Sequence, residues 1–247
     1  MALVNELEKQ GNFLFRYRGQ IPVVLFVLAI PFVYLTDLSV YSDSQMSWMT
    51  IFAIAISLLG FLVRAYTIAT TPAGTSGRNT KEQIADFLNS TGIYSLVRHP
   101  LYLGNYLMWI GIVLFTFNIY FVVIVSLMYW LYYERIMFAE ERFLEKKFAQ
   151  EFFDWSSSKS AFVPRFSSYV KSSVPFSLKC VLRREYSGVL ATVIGFVFVE
   201  AVRNFFRNGC FCISDVYWLV LTIVLLQTIV LRTLKKRTSL LNEEGRS

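Results

Sequence analysis

His99 is the only histidine of the 247-residue chain, and it stands in the run Gly92-Ile93-Tyr94-Ser95-Leu96-Val97-Arg98-His99-Pro100-Leu101-Tyr102-Leu103-Gly104. A cation, an imidazole, a proline, a phenol and a glycine therefore meet at the mouth of a long apolar segment. Ionisable groups at a bilayer edge are costly to keep and mark places where a ligand is held. Arg and His beside a membrane helix also serve as interfacial anchors, but an anchor has no need of a fixed Pro, Tyr and Gly. Glu140 and Glu141 follow later, in a helical pattern from Glu134 to Trp155 whose apolar stripe is Met137, Leu144, Phe148 and Phe152. Glu141 falls on that stripe and Glu140 flanks it, an expensive position for a carboxylate unless it is partnered or used. Pro100 suits the first position of a helix, which makes His99 its cap. The backbone amides just beyond favour an anion such as a carboxylate or phosphate. The opposing carboxylates suit an amine or a ribose diol. The ligand expected is compact, with one anionic end and one cationic or hydroxylated end.

The elements that position these groups belong to a membrane protein. Hydrophobic residues make up 55% of the chain and charged residues only 17%, against about a quarter charged in a soluble domain. Apolar stretches run from about Ile21 to Thr36, Met46 to Ala69, Leu101 to Tyr133, Ser187 to Phe206 and Asp215 to Leu231, with Arg64 at the wet end of the second. Leu101 to Tyr133 carries no charge and exceeds one span of about 20 residues. It divides at Thr116-Phe117-Asn118 into a helical hairpin. The fold expected is an all-α integral membrane protein of about six transmembrane helices, with a helical hairpin core and a cytoplasmic ligand pocket. Because the hairpin goes out and comes back, Arg98, His99 and Tyr102 at one end face Glu140 and Glu141 at the other.

Of the 24 Lys and Arg residues, all but Arg203 and Arg207 fall in the N-terminal arm, the loop after the second span, the segment from Arg135 to Arg184, or the C-terminal end. The positive-inside rule puts both termini and both large loops in the cytoplasm. The +7 net charge matches anionic lipid headgroups and argues for no nucleic-acid partner. No cleavable signal is expected, because the arm holds Glu6, Glu8, Lys9 and Arg16 and no small-residue cleavage site follows the first apolar run. One histidine makes a His-ligated metal cluster a poor expectation. Cys210 and Cys212, two residues apart, are not expected to pair. Thr80 and Gln83 read as a capping box for a short interfacial helix carrying Ile84, Phe87 and Leu88 on one face. Glu200 and Arg203 read as a structural pair at helical spacing. The organisation expected is a cytoplasmic arm (1–20), a first transmembrane pair (21–70), a core of loop, interfacial helix, hairpin and helical extension (71–166), and a C-terminal transmembrane pair with a basic tail (167–247).

Gly92-x-Tyr94-x-x-Val97-Arg98-His99-Pro100-x-Tyr102-x-Gly104, a hydrophobic hairpin, Glu140-Glu141-x-x-Leu144-x-x-x-Phe148 and Val163-Pro164-Arg165-Phe166 occur here in an order that resembles the isoprenylcysteine carboxyl methyltransferase and phospholipid methyltransferase superfamily. The resemblance covers about Gly92 to Phe166. It implies a multi-pass enzyme that binds S-adenosylmethionine at a cytoplasmic pocket and methylates a membrane lipid or lipidated substrate. His99, Pro100, Tyr102, Gly104, Glu140 and Glu141 map onto the family's cofactor-binding motifs. Arg98 belongs to the same motif, and for work on the acceptor Arg98 or Arg165 is expected to position an anion, while Glu141 or Glu140 is expected to take a proton from an amine. Where the family commonly shows Phe-Gly-x-x-Tyr-x-x-Tyr, this chain has Phe148-Ala149-Gln150-Glu151-Phe152-Phe153-Asp154-Trp155. Two hydroxyls are lost there, a departure that bears on the acceptor more than on the cofactor. A phospholipid amine or a lipid phosphate, as on a lipid A-like glycolipid, is favoured over a prenylcysteine carboxylate. The membrane implied is a bacterial inner membrane or the endoplasmic reticulum. Two other readings stand beside this one: a sterol or enone reductase using NADPH, against which Pro100 speaks because those proteins tend to carry Asn there, and a non-catalytic scaffold or transporter.

Overall fold

The structure, a computed structural model, describes residues 2–20, 22–75 and 83–246. Its described helices are α1 (Leu3–Tyr17), α2 (Pro22–Tyr34), α3 (Asp43–Ala69), α4 (Pro100–Leu114), α5 (Ile119–Phe148), α6 (Gln150–Ser156), α7 (Leu178–Asn208) and α8 (Asp215–Arg237). The fold is all-α. Among the described residues, β pairing is limited to the isolated bridges Gly92–Val170 and Val97–Ser160.

Local chemistry sets most of the boundaries. Ser42 and Gln45 close a capping box, so α3 begins at Asp43 rather than Met46. The hairpin turns where expected: α4 ends at Leu114, and Asn118 opens α5 by accepting from the Phe121 amide at 3.0 Å. Ser177 caps α7 through the Cys180 amide, and Gly209 ends it in the left-handed region at φ 70°, which glycine tolerates without a Cβ penalty. The helix therefore starts well before Ser187 and carries Arg184 and Glu185 within it. Four helices, α3, α5, α7 and α8, are long and apolar enough to cross a membrane, while α2 and α4 are shorter apolar helices. At 1.5 Å per residue, the 15 residues of α4 reach about 23 Å, short of the roughly 30 Å hydrocarbon core. Among the described residues there are six apolar helices, then, and four have the length of a span.

The tightest seam joins α3 to α4. A Cβ on Gly60 would lie 2.5 Å from the Met108 nitrogen and 2.6 Å from the Gly104 oxygen, and one on Gly104 would lie 2.9 Å from the Gly60 oxygen. Ser57 Oγ donates to the Met108 carbonyl at 2.8 Å. Small residues let two backbones approach where lipid offers no hydrophobic drive for association. That register fixes where Arg64 of α3 meets α4.

Two expectations are corrected, those for the interfacial helix and for the two cysteines, and the N-terminal arm gains a structure on which the sequence was silent. The N-terminal arm is the amphipathic helix α1, docked on α5 by Tyr132 donating to the Leu14 carbonyl at 2.8 Å and by Lys146 to Glu8 at 2.5 Å. The short interfacial helix is absent where the chain is described: residues 83–90 hold no helix, and Thr80 lies outside the described residues. Gln83 Nε2 donates to Asn12 of α1 at 3.2 Å. Cys210 and Cys212 form a disulfide across Cα atoms 5.3 Å apart, in the bend that follows α7. Glu200 and Arg203 do pair, at 3.4 Å.

Both chain ends lie at one end of the bundle. Arg246 Nη1 donates to the Ala69 carbonyl at 2.9 Å, and the Ala73 amide donates to Gly245 at 2.9 Å. These contacts strap the C-terminal tail to the end of α3, at the same end where α1 meets Lys146.

Candidate functional site

Backbone pairing sets Arg98 and His99 in place. The Arg98 amide donates to Ser160 at 3.0 Å, His99 to Ala161 at 3.2 Å and Arg165 to Leu96 at 2.9 Å. The segment after α6 therefore lies alongside the approach to α4. Pro100 is the first residue of α4 and is buried. His99 occupies the cap position, yet its side chain caps nothing, contrary to the sequence expectation. It turns to α5 instead: Nε2 lies 2.8 Å from Glu141 Oε1, and Nδ1 lies 3.5 Å from Glu140 Oε2.

Tyr102 completes the cluster, its hydroxyl donating to Glu140 Oε1 at 2.6 Å. Arg98 Nε stands 3.0 Å from Glu141 as an ion pair off the hydrogen-bond direction, and its Nη1 donates to the Ser156 carbonyl at 3.4 Å. The two ends of the hairpin thus meet as the spacing predicted. Beneath them, Tyr129 donates to the Tyr102 carbonyl at 2.7 Å and stacks on Tyr133 with centroids 4.1 Å apart.

The imidazole is only 7% exposed. Burial pulls it toward the neutral form, and hydrogen bonds and Coulomb attraction from Glu140 and Glu141 outweigh that, holding its pKa above the ordinary value. A pKa raised by folding contributes stability that is complete below the unfolded value, about 6.5, and is lost as pH rises through the folded one. The melting temperature of the wild type should exceed that of His99→Gln at mildly acidic pH, with the gap closing as pH rises above the ordinary imidazole range. A gap independent of pH would show that folding leaves the His99 pKa at its unfolded value. The neighbouring Tyr94 phenol is pushed well up by burial and is neutral at any physiological pH.

A cavity of about 570 Å³ opens beside the cluster, lined by Arg98, His99, Pro100, Tyr102 and Glu140. Its volume is that of a small-molecule or cofactor site, about 300–1,000 Å³. Sequence reasoning missed several of its walls: Phe15 and Arg18 from α1, Arg64 from α3, Asn105 from α4, and Arg184 and Glu185 from α7. Arg64 grips Glu185 with two hydrogen bonds, Nε to Oε2 at 2.8 Å and Nη2 to Oε1 at 2.7 Å, and donates to Asn105 at 2.7 Å. Glu185 is 2% exposed. A basic residue inside an apolar run was the available signal, since such a charge needs a partner. Three predicted residues stand apart from the cavity wall. Glu141 backs it through His99 and Arg98, Gly104 serves the α3–α4 seam, and Arg165 is exposed, with Nη1 donating to the Ser158 carbonyl at 3.4 Å.

The phospholipid methyltransferase family model matches residues 48–151. This is the superfamily resemblance that the motifs carry. The matched region contains most of α3, Arg98 to Gly104 and the Glu140–Glu141 pair, while α1 and α7 lie outside it. Protein-S-isoprenylcysteine O-methyltransferase of Saccharomyces cerevisiae is 30% identical over 132 residues, 52% of this chain and 54% of that one. The chain therefore spans about half the length of that relative. The nickel-cobalt-cadmium resistance protein NccN of Alcaligenes xylosoxydans xylosoxydans is 29% identical over 163 residues, 66% of this chain and 71% of its own. The cobalt-zinc-cadmium resistance protein CzcN of Cupriavidus metallidurans is 28% identical over 158 residues, 64% and 68% of the two chains. No solved structure matches. Phospholipid methyltransferase likeness and apolar helices of spanning length together support a membrane methyltransferase.

Proposed function

We propose that the chain transfers a methyl group from S-adenosylmethionine to a lipid acceptor embedded in the membrane. A phospholipid amine or a lipid phosphate is the favoured acceptor class, and a prenylcysteine carboxylate the other. The observation that carries the reading is a single cavity with two characters. One part holds His99, Tyr102 and Glu140; the other runs between α4 and α7 past Met108, Trp109, Gly188 and Ala191. From Pro100 to Trp109, α4 descends about 14 Å, a depth suited to an apolar chain.

The donor set fits the cofactor. S-adenosylmethionine supplies a methyl group made electrophilic by its sulfonium. Glu140, oriented by Tyr102 and His99, offers an anion for an ammonium or a ribose diol, and the α4 amides after Pro100 favour an anionic group. Glu141 keeps the His99 ring and Arg98 in place. His99 and Tyr102 are the buried members of the cluster, and catalysis comes mainly from alignment, with desolvation on their side of the site. For an anionic acceptor, Arg98 supplies a charge-assisted contact and no proton need move. For an ammonium acceptor, one proton must leave before the lone pair is available, and Glu140 is the carboxylate on the cavity wall nearest His99 to receive it. The distribution of Lys and Arg supports a cytoplasmic cavity mouth and cytoplasmic termini.

Lipid extracts from cells with and without the gene, compared by mass spectrometry, test the reaction. The expected result is a lipid class heavier by one CH2 per transfer that disappears with the gene. An unchanged lipid profile, with purified protein that binds NADPH and not S-adenosylmethionine, would favour the reductase reading.

A further inference from the structure

One wall of the cavity comes from residues outside the helices: Thr75, Ile84, Ala85, Phe87 and Leu88. A stretch without a helical ladder is placed by the few contacts that reach it. The Asp86 amide donates to the Gly74 carbonyl at 2.9 Å. Gly74 sits at φ 79°, and a Cβ there would stand 1.9 Å from Asp86 Oδ2. The wall is therefore fitted directly against the loop that follows α3.

That loop is held in turn by residues 243–246. The Ala73 amide donates to the Gly245 carbonyl at 2.9 Å. Arg246 Nη1 donates to the carbonyls of Ala69 at 2.9 Å and Thr71 at 3.3 Å, and Nη2 donates to that of Pro175. Carbonyls at a helix C-terminus lack partners within the helix and favour a cation. Ser177 Oγ, which caps α7, donates to Glu243. Leu241 is buried, so this stretch is seated in the molecule. The end of α3 and the start of α7 are thus tied together by one short segment. Ile68, beside Ala69, also lines the cavity, as do Arg184 and Glu185, about two turns after Ser177.

We propose that Arg246 is a positioning residue for the cavity. Through the carbonyls of Ala69, Thr71 and Pro175 it sets the loop after α3, and through Gly74 and Asp86 that loop sets the wall at 84–88 against which a ligand binds. Arg246 itself does not line the cavity. Residues 243–246 lie outside the region matched by the family, so this control is additional to the motif core. Its effect on affinity rests on the cofactor reading above; its effect on the wall does not.

Two measurements on the purified full-length protein in nanodiscs test this. In Arg246→Ala, amide hydrogen exchange at residues 84–88 should quicken by about tenfold or more, the size of one lost charge-assisted hydrogen bond, while α4 and α5 keep wild-type protection. Affinity for S-adenosylmethionine should fall by a similar factor. Arg246→Lys, which keeps a cation beside the carbonyls, should recover part of both. Gly74→Ala, which breaks the same link from the cavity side, should reproduce both changes. Wild-type exchange at 84–88 in Arg246→Ala, or faster exchange throughout α3, α4, α5 and α7, would overturn the proposal, the second by making Arg246 a general stabiliser. Quickened exchange with wild-type affinity would also overturn it, since the wall would then not govern binding. Wild type that binds no S-adenosylmethionine overturns the cofactor reading instead, and exchange at 84–88 still decides whether Arg246 sets the wall.

Discussion

Replacing Glu140 and Glu141 together by Gln should lower the affinity for S-adenosylmethionine by about a hundredfold or more. Hydrogen bonds to charged groups contribute about 1.5–3 kcal/mol each, and about 1.4 kcal/mol is a factor of ten. The two carboxylates share His99, at 2.8 and 3.5 Å, so their effects will not add. The double variant keeps side-chain size but removes both anions, whose attraction holds the His99 pKa above its ordinary value, and the anchor of Arg98. Isothermal titration against the cofactor reads the loss. Glu140→Gln alone should weaken S-adenosylmethionine and its decarboxylated form alike, because both retain the ammonium. Affinity within about twofold of wild type in the double variant would remove the cofactor from this cluster altogether.

Arg64→Met should destabilise the protein by about 3–5 kcal/mol, the cost of leaving one partner of a buried ion pair unpaired. Glu185 is 2% exposed, and its side-chain hydrogen bonds in the structure run to Arg64 Nε and Nη2. Without the guanidinium, a carboxylate is stranded between α3, α4 and α7. The double variant Arg64→Met/Glu185→Leu should regain most of the loss, because replacing both members by apolar residues of similar size is often neutral or stabilising. Thermal unfolding in detergent distinguishes the cases. A single variant as stable as wild type, or a double variant no better than the single, would mean that water reaches the pair and neutralises the penalty. Methyl transfer in the double variant reports separately whether this charged wall of the cavity touches the acceptor.

Much of the site was legible in the sequence because it is carried by local features. The charge-free run from Leu101 to Tyr133 could only fold as a hairpin, and Asn118 marks its turn. Closing that hairpin brings His99 and Tyr102 to Glu140 and Glu141 whatever the rest of the molecule does. The short helix expected after Thr80 shows where local reasoning fails. Residues 83–90 are not helical, and Gln83 bonds Asn12 of α1, 71 positions away, a partner that no local pattern reveals. The role of His99 changed for a similar reason. Pro100 puts it at a helix N-terminus, while the carboxylates of α5 decide where its ring points.

By itself, the sequence determined the apolar segments, the end of the bundle that gathers positive charge, and the motif residues at the hairpin's two ends. Each is a property of a short stretch, set by composition or by the helical period. Which charges meet was decided only by the tertiary structure. Arg64 finds Glu185 121 positions away, and Arg18 reaches Glu140 only because α1 turns back onto α5. Those pairings depend on helix separation and register, which Gly60 and Gly104 set at the α3–α4 seam and Gly11 sets beneath α1. A side chain absent at those positions lets two backbones touch, and that contact is invisible until both helices are in place.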